Sequence, residues 1–163
     1  MSKHNDAHVR AMFRYDPISG IVRRLKVASG KKAQIGAVVG NKTNLGYLVT
    51  QFEGKQIPVH HLAWFLSYGV WPKELDHKDN DRANNSLSNL RGATRAQNMA
   101  NRKDYGAGVR GVQRRGSSFR VITSAGGKRI NLGTYQTEQE AVEVLKKYHI
   151  ETYGEFSPYK RGE

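Results

Sequence analysis

Asp76 and His77 stand side by side in KELDHKDN, followed by the amides Asn84, Asn85 and Asn89 and then by Asn98. A carboxylate binds a hard cation, and an imidazole takes a proton from water near neutral pH. Neighbouring side chains on a strand point to opposite faces, so one of the pair can serve a metal while the other meets a different partner. One carboxylate and one amide oxygen leave most of an octahedron open to waters and a phosphate. Magnesium and manganese are commonly held that way where phosphodiesters are cleaved. Taken alone the pattern is weak, because isolated Asp-His pairs are usually ordinary structure and Asn-rich loops are usually turns.

The elements that must position these groups are legible in outline. Residues 10–58 read as β-rich and turn-rich, with IVRRLKV, AQIGAVVG and a hairpin of YLVTQF and KQIPVH around Glu53-Gly54. LAWFLSYG is apolar nearly all round and predicts a short buried helix stopped by Gly69 and Pro72. KELDHKDN and NLRGAT predict two short strands. Thr94 and Gln97 then form a capping box that opens a helix from about Arg95 to Arg102, with Asn98 near its start, within reach of Asp76. Beyond the glycine-rich YGAGVRG, the segments VRGVQRR, SFRVITS and KRINLGTY predict three strands, the last two turning at Gly126-Gly127. A second capping box, Thr137 and Glu140, opens a helix carrying Ala141, Val144, Leu145 and Tyr148 at helical spacing and ending near Gly154. The expected fold is α+β, with a domain over 1–103, its core at about 73–103, and a second domain over 104–163.

Charge narrows the partners. The 163 residues hold 27 Lys and Arg against 14 Asp and Glu, a net charge of +13 that points to a polyanion. The excess is uneven: residues 102–131 hold eight basic residues against Asp104 alone, while the stretch from Leu132 onward holds four basic and six acidic ones. Cysteine is absent, so any metal sits on oxygen or imidazole ligands. No apolar run approaches a membrane span or a signal peptide, and the expectation is a cytoplasmic protein of a bacterial or phage-infected cell, acting as a monomer.

The string VHHLAWFLSYGVWPKELDHKDNDRANNSLSNLRGATRAQNMANR resembles phage and intron-borne His-Asn-His homing endonucleases. FRYDPISGIVRR, GAVVG and GYLVTQFEGKQIPVH upstream look like the N-terminal strands such proteins carry. The resemblance implies a ββα-metal site in which His77 is the general base and Asp76 and Asn98 hold one divalent cation, magnesium or manganese. It makes Asn89 the middle Asn that fixes the loop and hence the orientation of His77, and leaves Asn85 a loop-shaping role. Asn98 stands where the eponymous motif has a second His, as in some members, and an amide ligand favours a hard ion over zinc. His60 matches a His that recurs before the first helix; phosphate contact and a hydrogen-bonded strand-end His are equally good readings, and His61 has the weaker case. Arg102 is a further candidate phosphate contact.

In the C-terminal segment, alternation sends Phe119, Val121, Thr123, Ile130 and Leu132 to one face and Arg120, Ile122, Ser124, Arg129 and Asn131 to the other. The second face, with Arg110, Gln113 and Arg115, has the side chains that read guanine and adenine edges in the major groove of duplex DNA. The segment GVRGVQRRGSSFRVITSAGGKRINLGTYQTEQEAVEVLKKYHIETYGEFS is similar to the Apetala2/ethylene-response-factor domain, which implies a three-stranded sheet laid in that groove. Ser117 and Asn131 lie near positions where many plant relatives carry tryptophan, so base preference does not transfer. Together the features point to a metal-dependent, nicking or site-preferring DNA endonuclease of homing or phage type. The alternatives are a DNA-binding regulator with an inert nuclease core and, less well supported, a structural RNA-binding protein.

Overall fold

The computed structural model describes residues 5–26, 34–101 and 109–160. The chain divides into two compact units, Met1–Gly92 and Ala93–Glu163.

The first unit begins with a helix that the sequence reading did not anticipate, α1 (Asp6–Met12), capped by the Asn5 side chain on the His8 N–H. Only Val9 and Met12 of it are buried, a stripe too short to register as periodicity. A small hairpin follows, β1 (Phe13–Tyr15) against β2 (Val22–Arg24), anchored in the core by Phe13 and Val22. The expected AQIGAVVG strand reduces to one bridge at Val38; residues 27–33 lie outside the described ones.

Three antiparallel strands come next, β3 (Asn41–Lys42), β4 (Leu48–Phe52) and β5 (Lys55–Pro58), with the expected Glu53-Gly54 turn at φ 50° and 75°. Helix α2 (Val59–Tyr68) starts directly after Pro58, three residues earlier than the apolar run suggests, so His60 and His61 lie on a helix and not at a strand end. Its Gly69 cap adopts φ 77°, and Phe65 stacks on Trp71 at 4.4 Å. Val59, Leu62, Ala63 and Phe65 bury one side of this helix in the core with Ile57. The last pair of strands is β6 (Leu75–His77) and β7 (Leu90–Gly92), joined by the loop 78–89.

The second unit opens with α3 (Arg95–Ala100), which has the expected Thr94–Gln97 capping box. This helix belongs to the same compact unit as the C-terminal strands, whereas the boundary expected from sequence lay at 103. The three strands are β8 (Val112–Arg115), β9 (Ser118–Ala125) and β10 (Lys128–Tyr135), in the order β10-β9-β8. They pack on α4 (Glu138–Tyr153) through Val121, Ala141 and Leu145, with Phe119, Leu132 and Tyr135 around them. Two short 3-10 turns, Gly154–Phe156 and Pro158–Lys160, follow α4. No helix among the described residues is long and apolar enough to cross a membrane.

An irregularity in β10 decides which of its side chains face α4. Asn131 pairs with Ile122, but Gly133 pairs with Val121, so Leu132 is the extra residue. Without that bulge Tyr135 would share the face of Arg129 and Asn131. With it, Tyr135 turns towards the helix and its hydroxyl donates to the Leu132 carbonyl at 2.6 Å. Gly133 holds φ 119°, and a Cβ there would meet the Tyr135 hydroxyl at 3.0 Å. Gly133→Ala should destabilise the second unit by about 1–3 kcal/mol. Faster amide hydrogen exchange across β9 and β10, with the first unit unaffected, is the expected observation.

Candidate active site

β6 has only three residues, and all three are buried. Asp76 is 3% and His77 5% exposed, so the strand is covered on both faces and each side chain meets its own surroundings. Asp76 stands opposite Arg91 in the β6–β7 register. The guanidinium donates to Asp76 Oδ2 through Nε at 2.9 Å and Nη2 at 2.7 Å. Sequence reading missed Arg91, because its pairing depends on a register that no local pattern specifies.

His77 faces the other way. Its Nε2 lies 3.1 Å from Asn85 Oδ1, and Asn85 is 1% exposed. A carbonyl oxygen only accepts, so Nε2 carries the proton and the lone pair of the neutral ring is on Nδ1. Asn85 thus makes the direct contact with the imidazole, a larger part than the loop-shaping one expected of it. Asn89 works one step back. Its amide donates to Asp79 Oδ1 at 2.9 Å and to the Asn84 carbonyl at 2.8 Å, and its own Oδ1 accepts the Asp79 N–H at 3.0 Å. Asn84 donates to Asp79 Oδ2 at 2.7 Å. Burial works against ionisation of Asp79, but the hydrogen bonds from Asn84, the Asp81 N–H and Asn89 outweigh it and hold its pKa below the usual value.

Three aromatic rings stand behind His77. The His60 ring is 5.1 Å from it, edge to face, and Tyr47 lies 5.3 Å from His60 and 6.0 Å from His77. His61 packs on His60 at 4.7 Å. Arg82, from the loop 78–89, lays its guanidinium 4.9 Å over Tyr47 and donates to the Leu45 carbonyl at 2.6 Å. Burial, with His61 and His77 beside it, pushes the His60 pKa down to about 2, so its ring is neutral. Its Nδ1 is buried without a hydrogen-bond partner among the described residues. This enclosure sets His60 apart from a surface phosphate contact. Burial also lowers the His77 pKa, against opposing effects of Asn85 and nearby carboxylates.

A hard cation is consistent with the donor chemistry. Among the described residues no group of three or more His, Cys, Asp or Glu gathers as a metal cage. Asp76 is a buried carboxylate, held on Oδ2 by Arg91, of the kind that suits an ion that keeps most of its waters. Asn98 lies on α3, in the second unit; Arg102 lies outside the described residues.

The second unit brings the expected C-terminal set onto one sheet face. Gln113 pairs with Arg120, Arg115 with Ser118, Arg129 with Ser124 and Asn131 with Ile122. Arg110 is exposed just before β8. Ile122 departs from the expected polar surface: it is 9% exposed, on the floor of a groove of about 800 Å³. Arg95 and Met99 of α3, Arg110, Arg129, Tyr153 and Tyr159 are among the residues that line this groove, and none of its described lining residues is acidic. The side chains of Arg95, Arg110, Arg115, Arg120 and Arg129 make no hydrogen bond or ion pair among the described residues. Most arginines of the first unit are engaged: Arg10 and Arg24 on rings, Arg23 and Arg82 on carbonyls, and Arg91 on Asp76.

Residues 58–100 match the family model of the HNH endonuclease, a stretch running from the end of β5 to the end of α3. No curated protein and no solved structure matches the chain. The family match supports a nuclease, of a class that acts on DNA and generally uses a divalent metal ion.

The neutral, buried His60 makes stability depend on pH. Its unfolded pKa is about 6.5 and its folded value about 2, so the unfolded chain binds the extra proton between these limits. Stability should be complete above about pH 6.5 and fall below it, by at most about 1.4 kcal/mol per unit from this residue. Urea unfolding of the metal-free protein, followed by Trp64 and Trp71 fluorescence, should show a lower midpoint at pH 5 than at pH 7.5. A His60→Gln variant should show a flatter dependence.

Proposed function

We propose that the protein is a metal-dependent DNA endonuclease, in which His77 is the general base and an Apetala2/ethylene-response-factor-like unit reads the DNA. The observation that carries this is the His77 imidazole, buried beside Asp76 in the family-matched segment with Nε2 held by Asn85. With Nε2–H committed, Nδ1 takes a proton from a water as its oxygen attacks the phosphorus. The P–O3′ bond breaks, leaving a 5′-phosphate and, after O3′ gains a proton, a 3′-hydroxyl. Asp76 would hold one magnesium or manganese ion, which would neutralise charge on the phosphate, and the resemblance adds Asn98 as the second ligand. Arg91 orients the Asp76 carboxylate for that task. The lowered pKa of His77 keeps it a competent base somewhat below pH 6.5.

The same Arg91 fork favours one other reading, a DNA-binding regulator whose core no longer takes a metal because a guanidinium serves Asp76 in its place. Supercoiled plasmid with magnesium or manganese separates the two. The wild type should nick, EDTA should abolish nicking, and His77→Ala should reduce it by at least about a hundredfold. Binding without metal-dependent cutting would establish the regulator.

DNA contact by the second unit rests on Arg95, Arg110, Arg115, Arg120 and Arg129, which no acid among the described residues neutralises and which share one face and its groove. We assign Arg120, Arg129, Asn131 and Gln113 to base edges and Arg95, Arg110 and Arg115 to phosphates. Arg95 is an addition to the set read from sequence. Its replacement by alanine should weaken duplex binding uniformly across sequences. The slope of log K against log salt should become shallower by about 0.9. An unchanged slope would remove Arg95 from the interface. A phage or intron origin, a single-chain active form and a cytoplasmic setting belong to this reading as proposals.

A further inference from the structure

Asn85, the hydrogen-bond partner of His77, is itself held by residues far upstream of the family-matched segment. Tyr15 donates its hydroxyl to the Asn85 carbonyl at 2.8 Å. Gly20 lies against the Asn85–Ser86 peptide so closely that a Cβ would sit 2.6 Å from Asn85 C and 2.4 Å from Ser86 N. The Leu87 N–H donates to the Pro17 carbonyl at 2.9 Å. Three successive residues of the loop, 85–87, are therefore pressed onto the turn that joins β1 to β2.

That turn is stiff. Asp16 accepts the Ile18 N–H on Oδ1 at 3.0 Å and the Ser19 hydroxyl on Oδ2 at 2.6 Å, and its carbonyl accepts the Gly20 N–H at 2.9 Å. Gly20 holds φ 73°, so the site refuses a side chain both by conformation and by space. The strands on either side begin in the core at Phe13 and Val22, which are 2% and 1% exposed. Burial, with Asp16 and Tyr68 nearby, pushes the Tyr15 pKa up to about 12, so its hydroxyl stays a donor wherever the protein is folded.

We propose that Tyr15 and Gly20 are positioning residues for His77: by clamping the backbone of Asn85 they fix its side-chain Oδ1, which orients the imidazole. The proposal rests on the reading of His77 as the general base. It extends the functional apparatus to the N-terminal hairpin, which lies outside residues 58–100. Elsewhere in the loop, the Asn89 bonds and the Arg82–Tyr47 contact hold the segment in place, but neither reaches the Asn85 carbonyl.

Tyr15→Phe keeps the ring and removes one hydroxyl. It should lower kcat for plasmid nicking about tenfold while KM and duplex affinity stay at wild-type values, because a misaimed base costs rate and not binding. Gly20→Ala should lower kcat further, on the order of a hundredfold. Ile18→Ala, at the 88% exposed tip of the same turn, should change nothing. In a His77→Ala background Tyr15→Phe should have no additional effect, since the base it aims is gone. A second readout needs no catalysis. In the metal-free protein, ¹⁵N-detected NMR should show neutral His77 as the Nε2–H tautomer, and Tyr15→Phe should shift it towards a mixture. Wild-type kcat in Tyr15→Phe, or a loss that persists in the His77→Ala background, overturns the clamp. If the wild type never cuts DNA, the nuclease reading fails on its own. The tautomer measurement then still decides whether Tyr15 sets the His77 ring.

Discussion

The hydrogen bond between His77 Nε2 and Asn85 Oδ1 is the constraint around which the first unit is organised. A strand of three residues has too few ladder bonds to fix a side chain by itself, and the imidazole it carries is buried. Leaving a buried ring nitrogen unpaired costs about 1–3 kcal/mol, and a single amide from eight residues away meets that need. The partner must then be immobile. The loop 78–89 is a web of side-chain bonds among Asp79, Asn84 and Asn89, and the β1–β2 turn closes on 85–87. Apolar elements supply the frame: α2 and the hairpins share one core through Phe13, Ile57, Leu62 and Phe65.

Asp76 and His77 illustrate how adjacent residues acquire separate electrostatic surroundings. Strand alternation sends them to opposite faces, and here both faces are covered. On one side a guanidinium meets the carboxylate; on the other, neutral rings and an amide meet the imidazole. The neutrality of His60 matters in that enclosure, since a second cation about 5 Å from His77 would oppose its protonation.

The two units use arginine differently. In the first, guanidinium groups cover rings, cap carbonyls and hold Asp76, so most of the cationic side chains with a described partner serve structure. In the second, five arginines lie on one face or its groove without such partners, and the acidic residues of α4 belong to the element packed on the other side of the sheet. Unmatched cations gathered on a surface favour a polyanion and disfavour a second copy of the same surface.

The local signals in the sequence were sufficient wherever a short stretch decides its own conformation. Both capping boxes, the Glu53-Gly54 and Gly126-Gly127 turns, the Gly69 stop and the apolar stripe of α4 follow from bonds and φ angles within a few residues. The Asp76-His77 pair and the basic C-terminal face were legible for the same reason, residue type plus alternation. Tertiary structure alone decided the rest. Arg91 faces Asp76 only because of a strand register, Tyr135 turns inward only because of a bulge, and the start of α2 at Val59 follows packing, not the apolar run. Asn85 outranks its neighbours because residues seventy positions apart meet there. Such contacts depend on where whole elements come to rest, and no pattern of neighbouring residues encodes that distance.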